Sequence, residues 1–178
     1  MTHIMVDLET LSTAPNAAII SIGACKFNFK TGRISDTFYR VIETNSALNY
    51  GLHIDEDTVK WWARQSEEAR KIFDTRGQTL DMVLKDFKRF VGNSNVANIW
   101  GNGAAFDNVI LTQAYKAVGI ERPWKYWGDR CYRTIKAMHP QVKAERIGVA
   151  HNALDDARTQ AKHLLEIYKK FGKDWNID

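Results

Sequence analysis

Two carboxylates near the N-terminus have a spacing that suits a metal-binding site. Asp7 and Glu9 directly follow the apolar run Ile4-Met5-Val6. In an extended strand, residues i and i+2 point to the same face, so the two acids would lie side by side. Burying two unpaired carboxylates is costly, and Mg²⁺ or Mn²⁺, which prefer carboxylate oxygen, would offset that cost. The alternative is that the strand ends at Val6 and both acids are solvated loop residues.

A further acid, Asp107, follows a glycine-rich segment that begins at Trp100 and contains Gly101 and Gly103. Glycine lets a ligand approach the backbone closely, so this turn is a candidate binding element. An acid in the first turn of a helix is also stabilised by the helix dipole, and capping alone would explain Asp107. The spacing of the glycines differs from a dinucleotide-binding fingerprint.

The last cluster of ionisable residues lies near the C-terminus and contains His151, Asp155 and Asp156. Imidazole can transfer a proton near neutral pH, which makes a histidine beside carboxylates a candidate general base. The alternative is that all three residues belong to the start of a helix, where acidic side chains are favourable without any catalytic role.

The elements that must position these residues follow from hydrophobic periodicity. Three apolar runs near the N-terminus predict an antiparallel meander, and later runs alternate between helical and strand patterns. This order predicts an α/β fold with a mixed sheet flanked by helices. The predicted strands cover residues 4–9, 18–27, 34–42 and 96–100, with a short strand near Cys131, and the predicted helices cover residues 54–65, 79–91, 105–118 and 151–171.

Composition limits the class of protein. We expect residues 1–178 to form one domain with no membrane span, because no apolar run approaches the ~20 residues that a bilayer requires. The N-terminus lacks the pattern of a signal peptide, and the two distant cysteines fit neither a disulfide framework nor a zinc site. These features predict a cytoplasmic protein. The net charge of +4 is compatible with a polyanionic partner.

Taken in order, Asp7-x-Glu9, Phe106-Asp107 and His151-x-x-x-x-Asp156 resemble the three motifs of the DEDDh exonuclease family. The motifs extend over nearly the whole chain. The resemblance implies a ribonuclease H-like fold with a five-stranded mixed sheet, in which parallel strands extend a three-stranded antiparallel meander. Short sequence segments such as Val6-Asp7-Leu8-Glu9-Thr10 and Thr58-Val59-Lys60-Trp61-Trp62 are similar to a small phage and bacterial branch of the family. This similarity favours DNA slightly over RNA as the substrate.

The resemblance also implies an activity, namely metal-dependent 3′–5′ hydrolysis of DNA or RNA that releases nucleoside 5′-monophosphates. The substrate would be a single-stranded 3′ end or a 3′ overhang. Asp7, Glu9, Asp107 and Asp156 would bind two divalent cations, Mg²⁺ or Mn²⁺, and His151 would be the general base. Two metals stabilise charge on both the attacking and the leaving oxygen of a phosphodiester. Asp156 is preferred to Asp155 because of its five-residue offset from the histidine.

Substrate contacts are predicted at four further residues. The resemblance places Thr10 and Leu11 beside the terminal nucleotide. Trp62 is a candidate for stacking on a base, and Gln65 is a polar candidate one helical turn away. Trp61 and Trp62 are adjacent on a helix, so at least one of them should belong to the core.

Two alternative functions remain open from the sequence. The first is a catalytically silent nucleic-acid-binding module of the same fold, and the second is a hydrolase of short oligonucleotides or small phosphodiesters. The resemblance allows a homodimer as well. A zinc or thiol enzyme is disfavoured because the cysteines and histidines lack the spacing of zinc ligands.

Overall fold

The computed structural model describes residues 1–177, and its centre is a five-stranded mixed sheet. The strands are β1 (Thr2–Thr10), β2 (Ile19–Asn28), β3 (Arg33–Val41), β4 (Ala97–Gly101) and β5 (Asp129–Cys131). Their order is β3-β2-β1-β4-β5, with antiparallel β3-β2 and β2-β1 pairs and parallel β1-β4 and β4-β5 pairs. The predicted meander, extended by parallel strands, is therefore confirmed.

Helices cover both faces of this sheet. They are α1 (Thr44–Asn49), α2 (Glu56–Ala63), α3 (Glu67–Arg70), α4 (Leu80–Val91), α5 (Asp107–Val118), α6 (Tyr132–Met138) and α7 (Ala153–Phe171). Three helices were missing from the sequence expectations: α1, α3 and α6, each of seven residues or fewer and too short for a clear helical period. No helix within residues 1–177 is long and apolar enough to cross a membrane.

The central strand β1 separates two hydrophobic cores. Ile4, Val6 and Leu8 pack with α4 and α5 on one face, while Met5 packs with α7 on the other. Because side chains alternate along a strand, Asp7 and Glu9 continue the Met5 side and face α7. The alternative in which the strand ends at Val6 is wrong, since β1 pairs with β2 as far as Thr10. The alternation of a single strand thus directs both acids towards the last helix.

Close packing of α7 on the sheet depends on Gly23 in β2. This glycine lies opposite Asp7 in the β1-β2 pair, and a Cβ placed there would collide with the backbone of Ala153 and Leu154. The missing side chain therefore lets the first turn of α7 lie directly on the strand beside the acids.

We expect the substitution Gly23→Ala to lower the melting temperature by roughly 3–10 °C, because the added methyl group forces the first turn of α7 away from the sheet. Thermal unfolding followed by circular dichroism measures this effect. The matched control is Gly32→Asn in the β2-β3 turn, where φ is 66° and the space around the residue is open. Equal melting temperatures for the wild type and Gly23→Ala would contradict this account of the packing.

Candidate active site

Four carboxylates converge where β1, β4 and α7 meet. Asp7 and Glu9 come from β1, and Asp156 comes from the first turn of α7. Asp107 begins α5 after the turn that follows β4, and its Oδ1 accepts a hydrogen bond of 3.3 Å from the backbone N–H of Leu8. Since β4 runs parallel beside β1, its carboxyl end delivers this turn to the same edge of the sheet.

The turn before Asp107 requires a glycine at its start. A Cβ at Gly101 would lie 2.6 Å from Asn108 Oδ1 and 2.9 Å from the Cβ of Asp107. Asn108 ties the first turn of α5 to the sheet, since its Nδ2 donates to Ile99 O at 3.0 Å and to Asp129 Oδ1 at 2.8 Å. The first turn of α5 is thus tied to β4 and β5, and Asp107 is held in a buried position.

His151 lies just before α7 in a left-handed backbone conformation, with φ of 63°. Its N–H donates to Asp156 Oδ2 at 2.9 Å, and its ring meets Trp61 edge-on with centroids 4.9 Å apart. Candidate ligand atoms of Glu9, His151 and Asp156 all lie within 4.8 Å of one another. The histidine side chain therefore borders the carboxylate cluster.

Asp155 and Asp156 have different surroundings. Oδ2 of Asp155 accepts a 2.9 Å hydrogen bond from the backbone N–H of Val149, so this carboxylate supports the loop before α7. Asp156 instead joins the cluster, where its charge raises the pKa of Glu9, and it also forms an ion pair with Arg146. The geometry thus favours Asp156 over Asp155, in agreement with the five-residue offset from His151.

Burial and mutual repulsion dominate the electrostatics of the cluster. Desolvation and the charges of Asp156 and Asp107 raise the pKa of Glu9 to about 8. Burial raises the pKa of Asp107 to about 7, opposed by hydrogen bonds from the Leu8 backbone and by the charge of Arg133. The pKa of Asp7 is also raised, first by burial and then by the neighbouring acids. The negative cluster consequently lacks enough positive charge within the protein.

Gln160 is a site residue that the sequence analysis missed. Its Nε2 donates to Asp7 Oδ1 at 2.7 Å, and its buried Oε1 has no hydrogen-bond partner within residues 1–177. Gln160 lies one helical turn after Asp156, so the i, i+4 spacing on α7 could have identified it once the helix had been assigned. The glutamine orients Asp7 and presents a further oxygen beside the carboxylates.

A concavity of about 540 Å³ opens beside Glu9, on the side of the cluster nearest α2. Thr10, Trp61 and Phe106 are among its lining residues, and Asp55 and Asp57 add negative charge. Thr10 holds this wall together, because its carbonyl oxygen accepts a 2.9 Å hydrogen bond from the indole N–H of Trp62. The concavity is therefore aromatic and acidic.

The structure changes the choice between the two tryptophans. Trp62 was the predicted stacking residue, and it also lines the concavity, but it is only 2% exposed and belongs to the core. Trp61 is 41% exposed and presents its ring beside His151. Helical rotation of 100° per residue explains why adjacent tryptophans separate in this way. An exposed ring is needed for stacking, so Trp61 is the better candidate.

Of the four predicted substrate contacts, Leu11 and Gln65 do not line the concavity. Leu11 is buried and lines a separate apolar cavity with Val59 and Phe73. Gln65 donates its side-chain N–H to the carbonyl oxygen of Trp61 at 2.9 Å, so it satisfies the end of α2 instead of lining the concavity. The family resemblance pointed to Leu11 and helical spacing pointed to Gln65, but neither reveals the direction in which a side chain packs.

A family model described as a 3′–5′ exoribonuclease Rv2179c-like domain matches residues 2–168. The chain belongs to this exonuclease family. The exonuclease is also 25% identical to an exodeoxyribonuclease of Enterobacteria phage T4, over 93% of this chain and 87% of the phage protein. It is 26% identical to a PolC-type DNA polymerase III of Clostridium perfringens, over 98% of this chain and only 12% of the polymerase.

Solved structures agree with this assignment. The exonuclease superposes on the nuclease domain of 3′hExo, a DEDDh family member bound to rAMP, with a TM-score of 0.64 and 16% identity, covering 96% and 92% of the two chains. It also superposes on E. coli exonuclease I in a complex with single-stranded DNA, with a TM-score of 0.67 and 13% identity, over 97% of this chain and 41% of exonuclease I. These likenesses confirm the predicted ribonuclease H-like fold. The family model and the phage relative support the predicted DEDDh family and 3′–5′ exonuclease activity.

The raised pKa values predict how stability depends on pH in cation-free buffer. The folded state binds more protons than the unfolded chain between about pH 4 and pH 8, because the pKa of Glu9 is about 8 and that of Asp107 about 7. The contribution of these acids to stability is therefore complete below about pH 4 and is lost as the pH rises through 7 and 8. The substitution Asp7→Asn removes one repelling charge and should raise the melting temperature more at pH 8 than at pH 5.

Thermal unfolding of both proteins in EDTA at the two pH values measures this difference. Asp36→Asn is the matched control, because Asp36 lies on β3 with its side chain 71% exposed. A difference between Asp7→Asn and wild type that is the same at pH 5 and pH 8 would count against repulsion within the cluster.

Proposed function

We propose that residues 1–178 act as one divalent-cation-dependent exonuclease domain that removes nucleoside 5′-monophosphates from single-stranded 3′ ends of DNA or RNA. The observation that carries this proposal is the convergence of Asp7, Glu9, Asp107 and Asp156 beside His151. Three separate elements contribute to one acidic cluster, and the chain belongs to a family of 3′–5′ exonucleases.

The donor set fits two divalent cations, Mg²⁺ or Mn²⁺. The four carboxylates supply hard oxygen ligands, and the raised pKa values of Glu9 and Asp107 reflect a cluster in need of cationic charge. When bound, such ions supply positive charge for both the attacking and the leaving oxygen and lower the pKa of a bound water. Gln160 keeps Asp7 oriented through its 2.7 Å hydrogen bond.

His151 is the proposed general base. Its ring accepts a proton from the attacking water, and the 2.9 Å hydrogen bond from its backbone N–H to Asp156 fixes its distance from the cluster. Trp61 packs edge-on against the ring and limits its rotation. The residue is thus positioned from two sides, through its backbone and through its side chain.

The concavity lined by Trp61 and Phe106 is the proposed site of the terminal nucleoside. An aromatic wall accepts any base by stacking, which suits an exonuclease that moves along a strand. Glu9, Asp55 and Asp57 make this space acidic, so it favours a terminal sugar with a free 3′-hydroxyl and repels a 3′-phosphate. A free 3′-hydroxyl end, the end at which the enzymes of this family begin, is compatible with this charge.

The test is hydrolysis of matched single-stranded DNA and RNA oligonucleotides that are labelled at the 5′ end, with Mg²⁺ or Mn²⁺ and with EDTA. We expect a ladder that shortens from the 3′ end and is abolished by EDTA and by Asp7→Asn, and slow cleavage of 3′-phosphorylated oligonucleotides. The faster of the two oligonucleotides identifies the preferred sugar. The family model is described as an exoribonuclease, and the phage relative is named an exodeoxyribonuclease.

The absence of cleavage with either oligonucleotide, in folded protein with bound cation, would favour the silent binding module. Cleavage of dinucleotides alone would favour the hydrolase of short substrates. Both outcomes would contradict the proposal.

Replacing His151 with asparagine tests its role as a base. Asparagine tolerates the left-handed backbone and cannot perform the proton transfer, so kcat should fall by about 10²–10⁴-fold. Mn²⁺ binding, measured by calorimetry, should change little. His139→Asn is the matched control, since His139 stacks on Phe171 at the opposite end of α7 with centroids 4.7 Å apart. Unchanged turnover in His151→Asn would remove the histidine from the mechanism.

Substitutions at the two tryptophans should affect different properties, substrate binding at Trp61 and folding stability at Trp62. Trp61→Ala should raise KM on the order of ten-fold through lost stacking, with little change in the melting temperature. Trp62→Ala should lower the melting temperature by several degrees, because it empties a core position and leaves the Thr10 carbonyl without its indole partner. Steady-state kinetics and thermal unfolding measure both effects, and the reverse pattern would restore Trp62 as the stacking residue.

A further inference from the structure

A second concavity, the α6 groove, opens on the other side of the turn that carries Asp107. We define it by Asn102, Arg133, Lys136, Val142, Lys143 and His163, which line a volume of about 720 Å³. Arg133 connects the groove to the turn, because its guanidinium donates to the carbonyl oxygen of Asn102 at 2.5 Å. The acidic cluster therefore lies between two concavities, one beside α2 and one beside α6.

The two concavities carry opposite charge. The lining of the α6 groove contains three basic side chains, and within residues 1–177 no carboxylate contributes to it. Glu145, the acid nearest in sequence, is paired with Lys162 at 2.6 Å. Arg133 also acts on the cluster itself, since its charge lowers the pKa of Asp107. The concavity beside Glu9 is acidic, and the α6 groove is basic.

Buried hydrogen bonds hold the lysine-bearing wall of the groove against α7. His163 Nε2 lies 2.9 Å from the carbonyl oxygen of Val142, and His163 Nδ1 lies 2.6 Å from the hydroxyl oxygen of Tyr132. A carbonyl only accepts, so Nε2 donates to Val142, and in the neutral ring Nδ1 accepts from the tyrosine. These bonds hold the backbone at Val142, next to Lys143, and the start of α6, the helix that carries Lys136. The entropic cost of placing both ammonium groups on a ligand is therefore lowered.

We propose that the α6 groove binds the sugar–phosphate backbone of a single strand immediately upstream of the scissile linkage. This inference rests on the proposed function. A strand whose terminal nucleoside occupies the acidic concavity must leave the carboxylates on another side, and the groove supplies charge of the sign that phosphates require. Lys136 and Lys143 contact phosphates instead of bases, so binding is independent of sequence.

Two consequences distinguish this groove from a solvated charged surface. Each phosphate contact releases counterions, which contributes about 0.7 to the slope of log affinity against log salt for a single strand. The two lysines together should therefore contribute about 1.4 to that slope. A substrate that carries only one nucleotide cannot reach the groove, so its hydrolysis should not depend on these lysines.

The experiment compares Lys136→Ala/Lys143→Ala with Lys116→Ala/Lys170→Ala, a control that removes the same charge. Lys116 and Lys170 are exposed in the last turns of α5 and α7, whereas Asp107 and Asp156 lie in the first turns of these helices. Fluorescence anisotropy in EDTA measures the binding of a 5′-labelled 12-nucleotide strand at several salt concentrations. Hydrolysis of the p-nitrophenyl ester of thymidine 5′-monophosphate, with Mn²⁺, measures activity without upstream phosphates.

We expect the groove variant to weaken strand binding on the order of ten-fold and to reduce the salt slope by about 1.4, with unchanged kcat/KM for the ester. The control variant should bind like wild type. Equal strand binding in all three proteins, or an equal loss in both variants, would overturn the inference and leave the proposed function intact. Failure of wild type to hydrolyse both the ester and the oligonucleotide ladder would contradict the proposed function, while anisotropy would still decide the role of the groove.

Discussion

The repulsion among four partly or fully buried carboxylates is the constraint on which the arrangement of this protein depends. Asp7, Glu9 and Asp107 are unfavourable in their positions without added positive charge, and their raised pKa values express that cost. The hydrophobic cores on the two faces of β1 must therefore supply the stability that holds the acids together. Gly23 is part of this solution, because it lets α7 approach the strand closely enough to add Asp156.

The two concavities beside the acidic cluster differ in charge and lining, so the two sides of the cluster suit different parts of a strand. On one side, Trp61 and Phe106 form an acidic, aromatic space that matches a base and an uncharged sugar end. On the other side, Arg133, Lys136 and Lys143 line a basic groove that matches a phosphate chain. A strand bound in both would have its terminal linkage at the carboxylates. In the proposed binding mode, the sign of charge on each side favours attack at one end of a strand.

Much of this arrangement could be predicted from the sequence, because simple periodicities encode it. The i, i+2 spacing of Asp7 and Glu9 on a strand, and the offset between His151 and Asp156, are local features that survive folding unchanged. The choice between Trp61 and Trp62 was not local, since it depends on which side of α2 meets the core. The i, i+4 spacing from Asp156 places Gln160 on the same side of α7, but its contact with Asp7 joins residues 153 positions apart and could not be read from the sequence. The basic groove depends on α6, whose seven residues are too few to show a helical period.

The left-handed conformation of His151 means that selection for stability and selection for turnover favour different residues at this position. At φ of 63°, glycine would relieve backbone strain that every other side chain here must tolerate, with asparagine next best. Evolution towards stability alone would thus drift away from histidine. Under the proposed role of His151 as general base, retention of the imidazole in a lineage indicates selection for turnover, and a glycine here marks a copy that has kept its fold and lost its base. One torsion angle therefore provides a criterion for recognising inactive descendants of such a nuclease.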